Sequence, residues 1–249
     1  MNKLVVVVAF IMVFTIACDD TDNIIDIINT PLTEAEVAEG LKSALTVSTD
    51  TAVSVVSRVN GYFLDEIIKI YLPPEADIIV ENADHPLLAS IGLPELIDDM
   101  ILKMNRAVED ASKEATPIFF NAITSMTIQD AFGILNGSDT SATNYLRIKT
   151  SEDLKNAFQP KINNSLNKPL VSGVSANDTW VSLTGLYNEI ANSVAGQLAG
   201  LTPVETELDE YVTAKALNGL FIKLGEEEKA IRTDPLARVN EILKRVFGN

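Results

Sequence analysis

Few residues in this chain are suited to chemistry, and their types narrow the reactions open to it. Among 249 residues there is one histidine, His85, and one cysteine, Cys18. A Ser-His-Asp or Cys-His arrangement needs an imidazole as base. His85 stands between Asp84 and Pro86, a setting that reads as an exposed loop or a helix entrance rather than a catalytic dyad. Zinc sites draw Cys and His ligands at tight spacing, and this composition cannot supply three. No D-x-D-x-D-G calcium loop occurs, and Asn136-Gly137-Ser138-Asp139 has a single glycine and no following lysine, so it is no phosphate loop. No metal and no cofactor is therefore expected. Carboxylates are abundant, which leaves acid–base hydrolysis by a pair such as Asp98/Asp99 or Glu226/Glu227 open. Adjacent helical residues point about 100° apart, however, and do not face one another.

The polar residues of most interest lie beside apolar helical stripes. They are Arg106 and Glu109, Tyr145 and Arg147, and Glu228, Arg232 and Arg238. Such residues can pair between packed helices, so these seven are expected to cluster in space. A closed cluster would be a structural ion-pair network, whereas one rimming an apolar cavity of about 300 Å³ or more would suit a bound apolar ligand. Glu226-Glu227-Glu228-Lys229 reads as a solvated face, with Glu228 four residues before Arg232 in the favourable order for an ion pair.

The elements that would position these groups are helical. Thr33-x-x-Glu36, Thr127-x-x-Asp130, Thr150-x-x-Asp153 and Thr206-x-x-Asp209 have the form of helix N-caps. Pro94, Pro117 and Pro235 suit first turns, and Asn136-Gly137 and Gly248 suit helix ends. Apolar residues recur near a period of 3.6 in three stripes: Leu96 through Ala115, Trp180 through Leu198, and Tyr211 through Ile231. Leu217, Phe221, Trp180 and Val108 are expected to be nearly buried. Two stretches resist this pattern. Thr51–Val59 is rich in β-branched residues, and Ile68-Lys69-Ile70-Tyr71-Leu72 alternates into Pro73-Pro74 as a short extended piece. The expected fold is all-α, a single bundle-like domain of many helices with at most one minor extended element.

The N-terminus is an address. Lys3, an apolar run from Leu4 to Ile16, and Ala17-Cys18 before acidic Asp19-Asp20 have the parts of a secretory signal. At about 1.5 Å per residue the run reaches roughly 20 Å, short of the ~30 Å hydrocarbon core. A sole cysteine at the cut resembles the bacterial lipoprotein signal, in which the thiol is acylated and becomes the mature N-terminus. The alternative is an ordinary cleaved signal with an unmodified thiol. The chain thus divides into a signal over residues 1–17, a lipid-anchored tether over 18–31 and a helical domain over 32–249. It would sit in the bacterial cell envelope on either membrane, inner or outer, its membrane contact made through Cys18. Four isoleucines, Ile24, Ile25, Ile27 and Ile28, suggest partial docking of the tether on the body.

Charge narrows the partners. The formal net charge is −16, and loss of Lys3 with the signal would make it −17. Nucleic acid is excluded as a partner, since its phosphates are held by basic surfaces.

The ordered motifs Asn105-Arg106-Ala107…Glu109-Asp110-Ala111, Gly137-x-Asp139…Ala142-Thr143-x-Tyr145-x-Arg147, Phe158-x-Pro160, Tyr211-Val212-Thr213-x-Lys215-Ala216-Leu217-x-Gly219-Leu220-Phe221 and Glu226-Glu227-Glu228-Lys229-x-Ile231-Arg232-x-Asp234-Pro235-x-Ala237-Arg238 are carried together. This succession resembles the bacterial envelope family known as domain of unknown function 4197, over about Thr33 to Gly248. The resemblance implies a mainly helical, often lipidated envelope protein and no known activity. Three functions follow as expectations: a non-catalytic binding module for an envelope protein, a carrier of an apolar ligand, or a carboxylate-based hydrolase.

Overall fold

The computed structural model describes residues 32–77, 80, 93–169, 173–198, 200, 203, 207–234, 236 and 244–246, without the side chains of 75, 183, 186, 187 and 190. Contacts divide the chain between Thr33 and Glu34, and the description below concerns the unit from Glu34 onward. Cys18, the tether, His85, Thr206, Pro235, Arg238 and Gly248 lie outside the described residues.

The unit is all-α. Helix α1 (Glu34–Ser57) starts directly after Thr33, with Glu34 and Glu36 in the first turn, where the helix dipole favours acids. The β-branched run Thr51–Ser57 does not break it. Ala52, Val53 and Val56 are buried there, so packing overrides a modest propensity penalty. Helix α2 (Leu93–Ala111) passes through a 3₁₀ turn, Ser112–Glu114, into α3 (Ala115–Thr124). Pro117, third in α3, has no N–H for the Lys113 carbonyl, which accounts for the tightened turn ahead of it. Helix α4 (Ile128–Leu135) opens with a complete capping box between Thr127 and Asp130 and stops at Asn136. Helix α5 (Ser141–Leu166) carries Pro160 in its interior, and α6 (Ala176–Ala191), α7 (Val194–Leu198) and α8 (Leu208–Thr233) follow. Among the described residues there is no strand, only an isolated bridge between Pro169 and Ser175.

Helix α8 packs against α5 and α1, α2 packs on α5, and α3 fills the space between α1 and α5. Phe119 and Phe221 meet edge to face at 6.0 Å in the centre, with Met100, Met104, Leu146 and Phe158 fully buried around them.

Several sequence expectations need correction. Thr150 caps nothing: it lies inside α5, buried, and its hydroxyl donates to the Leu146 carbonyl at 2.7 Å. The Trp180 stripe ends at Ala191, because the chain leaves the helix at Asn192-Ser193; Val194 and Leu198 are 78% and 85% exposed. On α8 the buried face is turned by about one position, through Val212, Ala216, Leu220, Leu224 and Ile231, leaving Ala214 exposed and Leu217 half-buried. Phe221, Trp180 and Val108 are buried as expected, and so is the α2 stripe from Met100 to Ala111. Residues 69–73 are in neither helix nor strand.

Candidate functional site

Six of the seven polar residues are described, and these six do not form one cluster. Of the six, Arg106 with Glu109 and Glu228 with Arg232 form two separate groups, while Arg147 contacts an aromatic ring and Tyr145 packs on the core.

The first group builds the connection after α1. Asn60 takes a left-handed φ of 69°, which ends the helix and turns the chain back. Gly61 follows because a Cβ there would lie 2.4 Å from the Val55 carbonyl oxygen. The turn then presents two backbone N–H groups, of Tyr62 and Phe63, to a single oxygen, Oε1 of Glu109 on α2, each at 3.1 Å. Oε2 of Glu109 accepts from Arg106 at 2.5 Å, and the same guanidinium donates to Asn60 Oδ1 at 2.6 Å. Glu109 is therefore buried with both oxygens engaged.

Asn105, one residue before Arg106, holds the extended piece. Its Oδ1 accepts from the Ile70 N–H at 2.9 Å, and its Nδ2 donates to the Ile70 carbonyl at 2.8 Å. The side-chain amide pairs with Ile70 as a neighbouring strand would, which is how an alternating segment persists without a sheet. Tyr62 finishes the attachment by donating its hydroxyl to the Ala216 carbonyl on α8 at 2.7 Å. Burial pushes this phenol well above its ordinary value near 10.0, outweighing hydrogen bonds that favour ionisation, and the nearby Glu109 carboxylate acts in the same direction as burial.

The second group joins three helices. Thr140, at the entrance to α5, makes no side-chain cap. Glu228, reaching over from α8, takes that role. Its Oε1 accepts from the Ala142 N–H at 3.0 Å, and its Oε2 accepts from the Thr143 N–H at 2.8 Å and hydroxyl at 2.7 Å. A carboxylate at a helix N-terminus satisfies orphan donors and meets the positive end of the dipole. Arg232, one turn on, pairs with Glu228 at 2.9 Å and donates to the Ile134 carbonyl at the end of α4, also at 2.9 Å. One ion pair thus closes the C-terminus of α4 and the N-terminus of α5 at once. Glu228 is only 5% exposed, so the solvated face expected for Glu226–Lys229 excludes it.

Between the groups, the Arg147 guanidinium lies 4.4 Å from the Phe221 ring centroid, a cation–π contact at the core edge. Tyr145 packs partly buried on the core, and burial, then the nearby Asp130 charge, raises its phenol above the ordinary value.

A third polar feature was missed by sequence reasoning. Asp209, in the first turn of α8, accepts from Gln159 and Asn163 on α5, each at 3.2 Å. With Asn156, Asn164 and Pro160 they line an open groove of about 310 Å³. The signal for it was present, since Pro160 leaves the Asn156 carbonyl without a helical donor. The Asn60-Gly61 dipeptide was likewise a legible turn signal.

Glu228 and Arg232 line a cavity of only about 10 Å³. The larger cavity of about 380 Å³ is a groove between α1 and α3, lined by Thr46, Thr49, Asp50, Thr116, Pro117, Phe120 and Asn121. Among the described residues no three His, Cys, Asp or Glu side chains converge as metal ligands, and no single helix is long and apolar enough to cross a membrane.

Fold and geometry together define a helical domain whose buried ionic groups secure helix ends and one structured connection. The chain belongs to the family described as protein of unknown function (DUF4197), whose model matches residues 31–248. No curated protein and no solved structure matches it.

Proposed function

We propose that this protein is a lipid-anchored, non-catalytic binding module of the bacterial cell envelope. The observation that carries the non-catalytic part is the engagement of both oxygens of Glu109 and of Glu228 by donors of the fold itself. A general base needs a free lone pair facing a substrate, and these carboxylates face backbone N–H groups and guanidinium. The same closure weighs against a carrier built on these residues, because about 10 Å³ beside Glu228 accommodates no acyl chain. The anchor is supported by the apolar run ending at the sole cysteine, Cys18, before Asp19-Asp20. Metabolic labelling with an alkyne fatty acid tests it: the wild-type chain takes up label and Cys18→Ala does not. An unlabelled wild-type chain would overturn the anchor, and a lipid recovered in equal molar amount with the unacylated protein would overturn the module in favour of the carrier.

A further inference from the structure

We infer that residues 58–72, which follow α1, are a second membrane contact, a structured segment that seats its exposed apolar residues in the headgroup layer of the bilayer. In this short segment Val59, Leu64 and Ile67 are 73%, 65% and 69% exposed. Isolated apolar residues on a surface need no explanation, but three within nine residues do. Nor is the loop loosely attached. Glu109 and Asn105 hold its backbone from α2, Tyr62 ties it to α8, and Asp65 accepts the Ile67 N–H at 3.0 Å while pairing with Lys223 at 2.7 Å. Buried polar side chains thus fix a piece of chain that sends Tyr62, Ile68, Ile70 and Leu72 into the core and leaves Val59, Leu64 and Ile67 exposed.

The chemistry around the tip favours a bilayer over a second protein. Lys69 Nζ lies 4.7 Å from the Phe63 ring centroid and 5.1 Å from that of Tyr71, with the Arg106 guanidinium 5.6 Å from the Phe63 ring. Aromatic rings alternating with cations at the rim of an apolar tip match the headgroup level, where aromatic and snorkelling basic side chains concentrate. Residues 58–72 carry Arg58 and Lys69 against Asp65 and Glu66, so the segment is neutral while the whole chain is −16. An acidic protein near an anionic surface is least repelled through such a segment.

The orientation rests on the reading of Cys18 as the acylated residue. From Cys18 to Glu34 are sixteen residues, which span at most about 55 Å when extended. Helix α1 has 24 residues and is about 36 Å long. The anchor can therefore reach the membrane plane that the far end of α1 would touch.

Flotation with phosphatidylethanolamine–phosphatidylglycerol vesicles tests the contact, using residues 18–249 made without the leader and so without acylation. The unacylated chain is expected to float, and Leu64→Ser/Ile67→Ser is expected to lower partitioning at least about tenfold at unchanged thermal stability. Raising the salt should strengthen binding or leave it unchanged, because it screens the repulsion of a net negative chain. Failure to float, equal flotation of the double variant, or loss of binding with salt would overturn the proposal. So would a dimer in sedimentation that the double variant dissociates while flotation is unaffected, since the tip would then be a self-interface. Labelling of Cys18 is read separately, so a failed anchor and a failed loop contact give different results.

Discussion

Glu228→Gln removes one charge from the junction of α4, α5 and α8 and barely changes its shape. Placed the better way round, the amide oxygen still accepts from Ala142 and Arg232, but the new NH₂ then faces the Thr143 N–H, donor against donor. Arg232 loses the charge of the Glu228 carboxylate, although its side chain is only 12% exposed. Removing one partner of a buried pair costs about 3–5 kcal/mol, and the lost charge at the α5 N-terminus falls within that range. At about 2–4 °C per kcal/mol for a chain of this size, Tm should fall by roughly 6–20 °C. Urea unfolding followed at 222 nm measures the loss directly. The exposed Glu226, which pairs with Lys223 at 3.0 Å, serves as the control, and Glu226→Gln should cost under about 1 kcal/mol. Combining Glu228→Gln with Arg232→Met should be less damaging than the sum of the two, because each variant removes the same ion pair. A Glu228→Gln loss below about 1 kcal/mol, or additivity of the double variant within about 0.5 kcal/mol, would refute the keystone role.

Two glycines should respond in opposite senses. Gly133→Ala in α4, where a Cβ meets nothing within 4 Å, should stabilise by about 0.5–1 kcal/mol. Gly219→Ala in α8 should destabilise in the same urea assay, because its Cβ would lie 2.7 Å from the Tyr62 ring and 3.1 Å from Ile68 Cβ, and overpacking of about 1–3 kcal/mol outweighs the helix-propensity gain. The Tyr62 phenol, held well above its ordinary value by burial, stays protonated in the folded chain while the unfolded chain ionises near pH 10. The unfolded state then binds fewer protons, so stability is fully present below pH 10 and falls as pH rises beyond it. Tyr62→Phe should flatten that alkaline limb of the denaturation profile, and an unchanged limb would show that other groups set it.

What was legible in the sequence was the helical period. Met100, Met104 and Val108 announce a buried face on α2 because a core-facing helix must repeat its apolar residues about every 3.6 positions. The Thr127-x-x-Asp130 box was legible for the same reason, its partners being three residues apart. Thr150-x-x-Asp153 has equal spacing and caps nothing, because burial of Leu146, Leu154 and Phe158 carries α5 straight through it. Local spacing cannot reveal the Glu228 cap, whose donors lie 85 and 86 positions earlier. Nor could it separate the Arg106–Glu109 pair from the Glu228–Arg232 pair, since that depends on where α8 crosses α5 and α2. The choice of Glu228 over its acidic neighbours was likewise decided by packing, as Glu226 is exposed and Glu228 buried on one helix turn.

These long-range caps bear on where function should be sought. The ends of α4 and α5 and the turn after α1 are satisfied by residues on α8 and α2, so none of these local structures is complete until the last helix has docked. A charged group with such a duty is poorly free for catalysis, because withdrawing it to serve a substrate would expose unpaired N–H groups in the interior. Arg106, Glu109, Glu228 and Arg232 are thereby accounted for as supports. Each support nonetheless holds something in place. The Glu228 pair holds a corner that packs into the core, whereas the Glu109 pair and Asn105 hold a segment that carries the exposed Val59, Leu64 and Ile67 beside its core residues. Stability alone explains the first arrangement. It explains only part of the second, because burying Tyr62, Ile68, Ile70 and Leu72 in the core does not require Val59, Leu64 and Ile67 to be apolar. The Glu109–Asn105 group is therefore the structural support for an outward-facing contact, and variants that loosen it, such as Asn105→Ala, should weaken vesicle flotation as well as stability, whereas Glu228→Gln should lower stability alone under conditions where both remain folded.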